Sequence, residues 1–219
     1  MNVVDATVVR PGPYARWGKR CLDVTVAAGA LALFAPVIAA VAGVVRMEMG
    51  SPVLFRQPRP GRQTQTFTIL KFRTMSDARD ATGQPLPDGE RLTALGRLLR
   101  KTSLDELPQL FNVLRGEMGL VGPRPLSQIY LPFYSPREQT RHDVRPGITG
   151  LAQTSGRNEL DWDTRLELDA RYVETVSLVG DLEILVRTVV QVLGRRDVRI
   201  DTSTMVSLHE QRAAALRAA

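Results

Sequence analysis

From Leu22 to Val45 the chain reads LDVTVAAGALALFAPVIAAVAGVV, with one charge, Asp23, near its start. That length is enough to span a bilayer. The run lacks the small-residue cleavage site and polar exit of a removable signal, so it is expected to be retained. Two features set it apart from an ordinary span. Pro36 sits near the middle, where it removes a backbone donor and favours a kink. Arg16, Lys19 and Arg20 precede the run, and Arg46, Arg56, Arg59 and Arg62 follow it, so both flanks favour the cytoplasmic side. A re-entrant helix, which enters one leaflet, breaks at Pro36 and returns to the same face, satisfies both features. A single kinked span is the alternative.

The remaining residues of this 219-residue chain suffice for one domain with a real core. A net charge of +6 points to an anionic partner: a phosphorylated ligand, an acidic membrane surface or nucleic acid. Nucleic acid is disfavoured, because aromatic residues make up only 5% and the apolar run has no place in such a binder. The lone Cys21 excludes an internal disulfide and a Cys-rich zinc site. His142 and His209 have no metal-ligand spacing and read as surface residues.

Past the apolar run the pattern is α/β, mostly helical with a small sheet. Val53-Leu54-Phe55 reads as a short strand, Arg59-Pro60-Gly61-Arg62 as a hairpin turn, and Thr66 to Arg73 as a second strand with period-2 alternation. In that strand Lys71 shares a face with Phe67 and Ile69, so it either snorkels to solvent or meets an anion. Ser76 to Arg91 is polar and rich in Gly and Pro, hence a loop. Helical spacing marks 92–99, 161–176 and 182–193; the last is too short to cross a bilayer and is expected to pack on the domain or the membrane surface. Residues 195–219 read as a loosely held, basic helical tail.

Acids, bases and rigid turns concentrate in Arg100–Pro125, RKTSLDELPQLFNVLRGEMGLVGPRP. Asp105 and Glu106 follow Arg100 and Lys101, and Gly122-Pro123-Arg124-Pro125 closes the segment. Carboxylates beside guanidinium and ammonium groups suit a site for phosphate and a divalent cation. Ser103-Leu104-Asp105-Glu106 also fits a capping box, which would make the acids purely structural. A helix starting at Asp105 would instead put Pro108 at its third position, where no N–H is needed, and would favour the ionised form of Asp105. The spacing leaves both readings open. Arg145-Pro146-Gly147-Ile148-Thr149-Gly150 is a further stiff turn that presents an arginine.

Five blocks in order carry a family resemblance: GSPVLFRQ at 50–57, KFRTM at 71–75, RKTSLDELPQL at 100–110, VGPRP at 121–125 and RPGITG at 145–150. Together they resemble the bacterial sugar transferases that act on polyprenyl phosphate, the small monotopic phosphoglycosyl transferases. The likeness covers about residues 16 to 195 and departs at Ala35-Pro36, where the family commonly has Ser-Pro. It implies a membrane-associated segment over 1–48, a cytoplasmic catalytic domain over 49–196 and a basic tail over 197–219, at the inner face of the bacterial plasma membrane. It further implies transfer of a sugar 1-phosphate from a UDP-sugar to polyprenyl (undecaprenyl) phosphate, releasing UMP, with Mg²⁺ or Mn²⁺ as cofactor and membrane lipids as partners. A homo-oligomer is compatible with it, and the chain looks like the minimal catalytic unit. By that likeness Asp105 is the nucleophile and a metal ligand, and Glu106 its catalytic companion. Lys71, Arg100, Arg124 and Arg145 are the candidate substrate-binding cations, and Pro36 marks the break in the membrane helix. A catalytically silent, membrane-anchored scaffold is the rival expectation.

Overall fold

A computed structural model of the chain describes residues 12–156, 160–194 and 207–212. The chain opens with a π-helical turn, Tyr14–Gly18, that runs into the long helix α1, Lys19–Met49. Next come the hairpin of β1 (Leu54–Pro60) and β2 (Thr66–Phe72), the short helix α2 (Asp88–Arg91), α3 (Ala94–Thr102) and α4 (Gln109–Arg115). Beyond them lie β3 (Gly119–Val121), α5 (Pro136–Gln139), β4 (Gly147–Thr149), α6 (Leu151–Ser155), α7 (Trp162–Glu174) and α8 (Leu178–Gly194). The mostly helical chain with small sheets is the expected fold class. The basic C-terminal tail falls largely outside the described residues. Its described piece, 207–212, is docked rather than loose: Leu208 is fully buried against Tyr134 and Leu166, and Arg212 pairs with Glu138.

Helix α1 is long and apolar enough to cross a membrane. It runs unbroken through Pro36, because losing one backbone donor removes a single rung of the hydrogen-bond ladder. The expected break at Pro36 is therefore absent as an interruption of the helix. Both halves of α1 rest on the same domain. Ala27, Ala30 and Leu31 pack into a cluster with Leu110, Val113, Met118, Leu120 and Ile184. Ile38, Val41, Ala42 and Val45 pack into a second cluster with Phe72, Leu95 and Leu99. At 100° per residue all these positions share one stripe. Phe34 lies on that stripe too, yet is 38% exposed, and residues 32–37 are exposed on every face of the helix. The turn around Pro36 thus stands clear while both ends are seated.

The hairpin pairs antiparallel with Phe55 opposite Lys71 and Arg59 opposite Phe67. Its reversal lies later than the sequence suggests. Arg59 and Pro60 remain in β1, and the chain turns over Gly61–Gln65, closed by the Gly61 N–H donating to the Gln65 carbonyl at 2.8 Å. Strands β3 and β4 pair in parallel, Gly119 with Gly147 and Val121 with Thr149. The Gly147–Thr149 segment, expected as a turn, is therefore strand. A parallel pair needs a long crossover, and this one carries Arg124, Arg141 and His142 back over the domain.

Glycine is dictated where these segments cross. A Cβ on Gly147 would fall on the backbone N of Gly122, and one on Gly150 on the Gly122 carbonyl oxygen. Backbone cannot yield as a side chain can, so Gly147→Ala is expected to cost at least about 2 kcal/mol in stability. Gly89→Ala, with open space around its Cβ, should leave the thermal midpoint within about a degree. Thermal denaturation of the two variants in one detergent checks this; equal midpoints would remove the interlock.

Candidate active site

Asp105 and Glu106 lie on a 3₁₀ turn, Leu104–Glu106, between α3 and α4. Ser103 ends α3 in the left-handed region (φ 57°) and makes no side-chain cap, so the capping-box reading is wrong. Nor does the following helix begin at Asp105. It begins at Gln109 with Pro108 as its N-cap residue, so Pro108 still needs no N–H, but the acids stand a turn ahead of the helix. Leu104 is held in the cluster around Val45 and Phe72, and Leu107 in the cluster around Leu110 and Val113. The two acids sit between these anchors.

Glu106 is clamped. Its Oε1 accepts from Lys71 Nζ at 2.6 Å and from Arg124 Nη2 at 2.8 Å. Lys71 is aimed there by β2, whose register is fixed by the fully buried Asn112 of α4. Asn112 Oδ1 accepts from Leu70 N, and its Nδ2 donates to Thr68 O. Burial works to raise the Glu106 carboxyl, but the Arg124 and Lys71 charges and their hydrogen bonds outweigh it and hold the group well below the usual range.

Asp105 is its opposite. It is only 7% exposed, and among the described residues no hydrogen bond or ion pair reaches its carboxylate. Burial, with the neighbouring Glu106 charge, pushes it up to about 6 against the partial relief given by Lys71, Arg124 and Arg100. The ionisation-favouring helix terminus anticipated for Asp105 is therefore overturned. Two adjacent carboxyls in opposite electrostatic conditions are a common signature of a reactive site. Among the described residues no three acidic or histidine side chains converge on a metal position, so a Mg²⁺ ion here would depend on Asp105 together with substrate phosphates.

Arg100, on the last turn of α3, donates from Nε to Thr74 Oγ1 at 3.1 Å and adds its charge beside Asp105. Arg145 is elsewhere. Its Nε donates to the Gly116 carbonyl at 2.8 Å, where it caps the C-terminus of α4. The structure thus brings Lys71, Arg100 and Arg124 to the acids and leaves Arg145 at the far end of a helix about 10 Å long.

Other residues carry no signal in the sequence. Arg141 and Asp169, both buried, pair at 2.6 Å, and Arg141 Nη2 also donates to the Arg124 carbonyl at 2.7 Å. This holds the backbone from which Arg124 reaches Glu106. Arg59 approaches Arg124 from β1, where burial and the Arg124 charge both lower its affinity for its proton. His142 is buried, not a surface residue. Its Nδ1 lies 3.2 Å from the Gly61 carbonyl, and burial with the Arg141 charge pushes it down to about 4. Nothing in the spacing of Arg141 or Asp169 announces the pair, since their contact spans α7 and the crossover.

The profile of the bacterial sugar transferase family matches residues 14–195. The chain belongs to that family. An uncharacterized sugar transferase of Bacillus subtilis, EpsL, is 52% identical over 175 residues, covering 80% of this chain and 87% of the relative. The exopolysaccharide production protein ExoY of Sinorhizobium fredii is 40% identical over 188 residues, 78% of this chain and 83% of the relative. A Caulobacter vibrioides protein named UDP-glucose:undecaprenyl-phosphate glucose-1-phosphate transferase is 45% identical over 186 residues, 80% of this chain and 69% of the relative. The family match takes in Asp105, Glu106 and each of the cations around them.

The raised value of Asp105 has a consequence for stability. A carboxyl that binds its proton more tightly folded than unfolded favours the folded state in acid, and that contribution is lost as pH rises from about 4 through about 6. Asp105→Asn is therefore expected to melt higher than the parent at about pH 8, with the gap closing near pH 4. Paired melts across that range measure it. A lower midpoint for the variant at the alkaline end would mean that the surrounding cations, not burial, govern Asp105.

Proposed function

We propose that this sugar transferase moves a sugar 1-phosphate from a UDP-sugar to a membrane polyprenyl phosphate, releasing UMP, with Asp105 as a covalent nucleophile. The observation that carries the reading is the division of labour in the acidic pair: Glu106 is occupied by two cations, and Asp105 is left without a partner among the described residues. The name of the Caulobacter relative describes a transfer of this class.

The steps derive from the residues. The Asp105 carboxylate attacks the β-phosphorus, the bond to the oxygen bridging the two phosphorus atoms breaks, and UMP departs with that oxygen. A phosphosugar–aspartyl acyl phosphate results, so that one displacement between two anions becomes two. An oxygen of the polyprenyl phosphate then attacks the same phosphorus and frees Asp105. The lipid phosphate is already anionic and needs no base, which suits a Glu106 held too low to accept a proton. Glu106 instead holds Lys71 and Arg124 in place beside the phosphates, and the Arg100 charge also acts on Asp105. Asp105 would hold a Mg²⁺ ion, which when bound screens the diphosphate charge against the carboxylates. Asp105→Asn is expected to cut UMP release at least roughly a thousandfold, and excess EDTA to abolish it until Mg²⁺ is restored. Turnover surviving in the asparagine variant would remove Asp105 as nucleophile; turnover surviving in EDTA would leave phosphate charge to the basic residues alone.

The reading extends to placement. Both ends of α1 sit on one domain and its middle stands clear, as a helix dipping into one leaflet from the cytoplasmic face requires. Because α1 is continuous through Pro36, this placement requires a bend at Pro36 rather than a break, with each half, roughly 18–20 Å long, short of a ~30 Å hydrocarbon core. With cysteines at Asn2 and at Gln84 in a Cys21→Ser background, an impermeant thiol reagent added to intact cells should label neither. Labelling at Asn2 alone would make α1 a span.

A further inference from the structure

The family profile ends at residue 195, and beyond it the chain docks a further piece, 207–212, on the domain. Its sequence, SLHEQR, builds its own turn. Ser207 N and Oγ both donate to Glu210 Oε2, at 3.0 and 2.6 Å, and the Gln211 N–H donates to the Ser207 carbonyl at 3.0 Å. A serine three residues ahead of a glutamate is a capping arrangement. It turns Leu208, His209 and Arg212 toward the domain while Glu210 and Gln211 stay exposed. Leu208 is fully buried with Tyr134 and Leu166, in a cluster that Tyr130 and Trp162 join. The His209 ring faces Tyr130, with centroids 6.1 Å apart. Arg212 Nη2 donates to Glu138 Oε1 at 2.8 Å and to Asp163 Oδ1 at 2.5 Å.

Both contacts lead to Arg141. Tyr134, packed on Leu208, accepts through its hydroxyl from Arg141 Nη1 at 3.1 Å, and its ring centroid lies 5.4 Å from the guanidinium carbon. Glu138, paired with Arg212, uses its other oxygen to accept from the Ser135 N–H at 2.7 Å, which closes the cap of α5. Two residues past the end of α5 the chain reaches Arg141. Arg141 Nη2 donates to the Arg124 carbonyl, and Arg124 Nη2 to Glu106 Oε1. Asp169 supplies the counter-charge of Arg141, whereas Tyr134 and α5 bear on where it sits. A plug for apolar surface would need only Leu208; the Arg212 pairing acts on α5 instead.

We infer that 207–212 is a positioning strap for the transfer site. Leu208 and Arg212 act through Tyr134, Glu138 and Arg141 to hold the backbone from which Arg124 reaches Glu106. This rests on reading Arg124 as a phosphate-contacting cation of the proposed transfer. The strap lies outside the residues that the family profile matches, so it acts on the shared site from beyond it.

The test uses the full chain, with UMP release from a UDP-sugar and polyprenyl phosphate read as kcat/KM. Leu208→Ala and Arg212→Ala should each lower it roughly tenfold, since a small displacement of a positioning group is costly at the reacting centre. Arg212→Lys should restore it, because one nitrogen makes both Arg212 contacts. Gln211→Ala, on the exposed side, should match the parent. In an Arg124→Ala background Leu208→Ala should cost less than about twofold, because residues coupled through one chain of contacts are not additive. An undiminished loss in that background overturns the inference, as does parental activity in Leu208→Ala. Amide deuterium uptake is the second measurement and needs no turnover. Uptake over 136–145 should quicken in both alanine variants while the β1–β2 hairpin keeps its parental uptake. Unchanged uptake over 136–145 overturns the strap. If the parent itself releases no UMP, the functional reading fails, and the uptake alone decides the strap.

Discussion

The structure depends on two leucines that hold the reactive turn from either side. Leu104 enters the cluster around Val45, Phe72 and Leu99, and Leu107 the cluster around Ala27, Leu110 and Val113. Asp105 and Glu106 stand between them. Both leucines are partly buried, so each contributes less than the about 1.5–3 kcal/mol of a fully buried one. Each cluster also receives one half of α1. The apolar helix α1 and the acidic turn therefore share their supports.

Charge completes what packing begins. Two cations converge on one oxygen of Glu106, and a third, Arg100, flanks Asp105. Arg124 reaches Glu106 only because its backbone is held by Arg141, which is in turn neutralised by Asp169. A buried ion pair of this kind is a costly way to gain stability, since desolvation offsets much of the attraction. Its value here is directional: a guanidinium fork fixes the carbonyl of Arg124 in a way an apolar residue cannot.

Local patterns were legible in the sequence, and distant pairings were not. The apolar run, the period-2 strand carrying Lys71 and the helix preceded by Asp161, which caps it through Thr164 N at 2.7 Å, are set by neighbours along the chain. The acids were legible because Asp105 and Glu106 are adjacent. The capping box failed because Ser103 adopts a left-handed conformation that no residue type at that position announces. His142 and Arg141 look like a polar surface run, and only the return of the crossover against Gly61 and α7 buries them. Arg145 is held by a contact the sequence does not announce. A stiff turn does present its guanidinium, and here its Nε meets the Gly116 carbonyl at the end of α4, one of the last carbonyls that a helix leaves unpaired.

Asp23 shows how the apolar helix and the charged site are joined. An ionisable residue in such a run is expensive and tends to face a partner within the protein. Asp23 Oδ1 accepts from the Leu120 N–H at 2.9 Å. In the parallel pairing Gly119 sits opposite Gly147 and Val121 opposite Thr149, so Asp23 satisfies an N–H that faces away from the small sheet. The link matters because Leu120 leads directly into the Arg124 loop. Four residues on, the chain reaches Arg124 through Val121, Gly122 and Pro123. Gly122 is locked by backbone contact with Gly147 and Gly150, and Pro123 has a fixed φ. A segment with so little freedom transmits position. Asp23 thus sets where the strand lies, the strand sets where the Arg124 loop begins, and that loop delivers one of the two cations on Glu106.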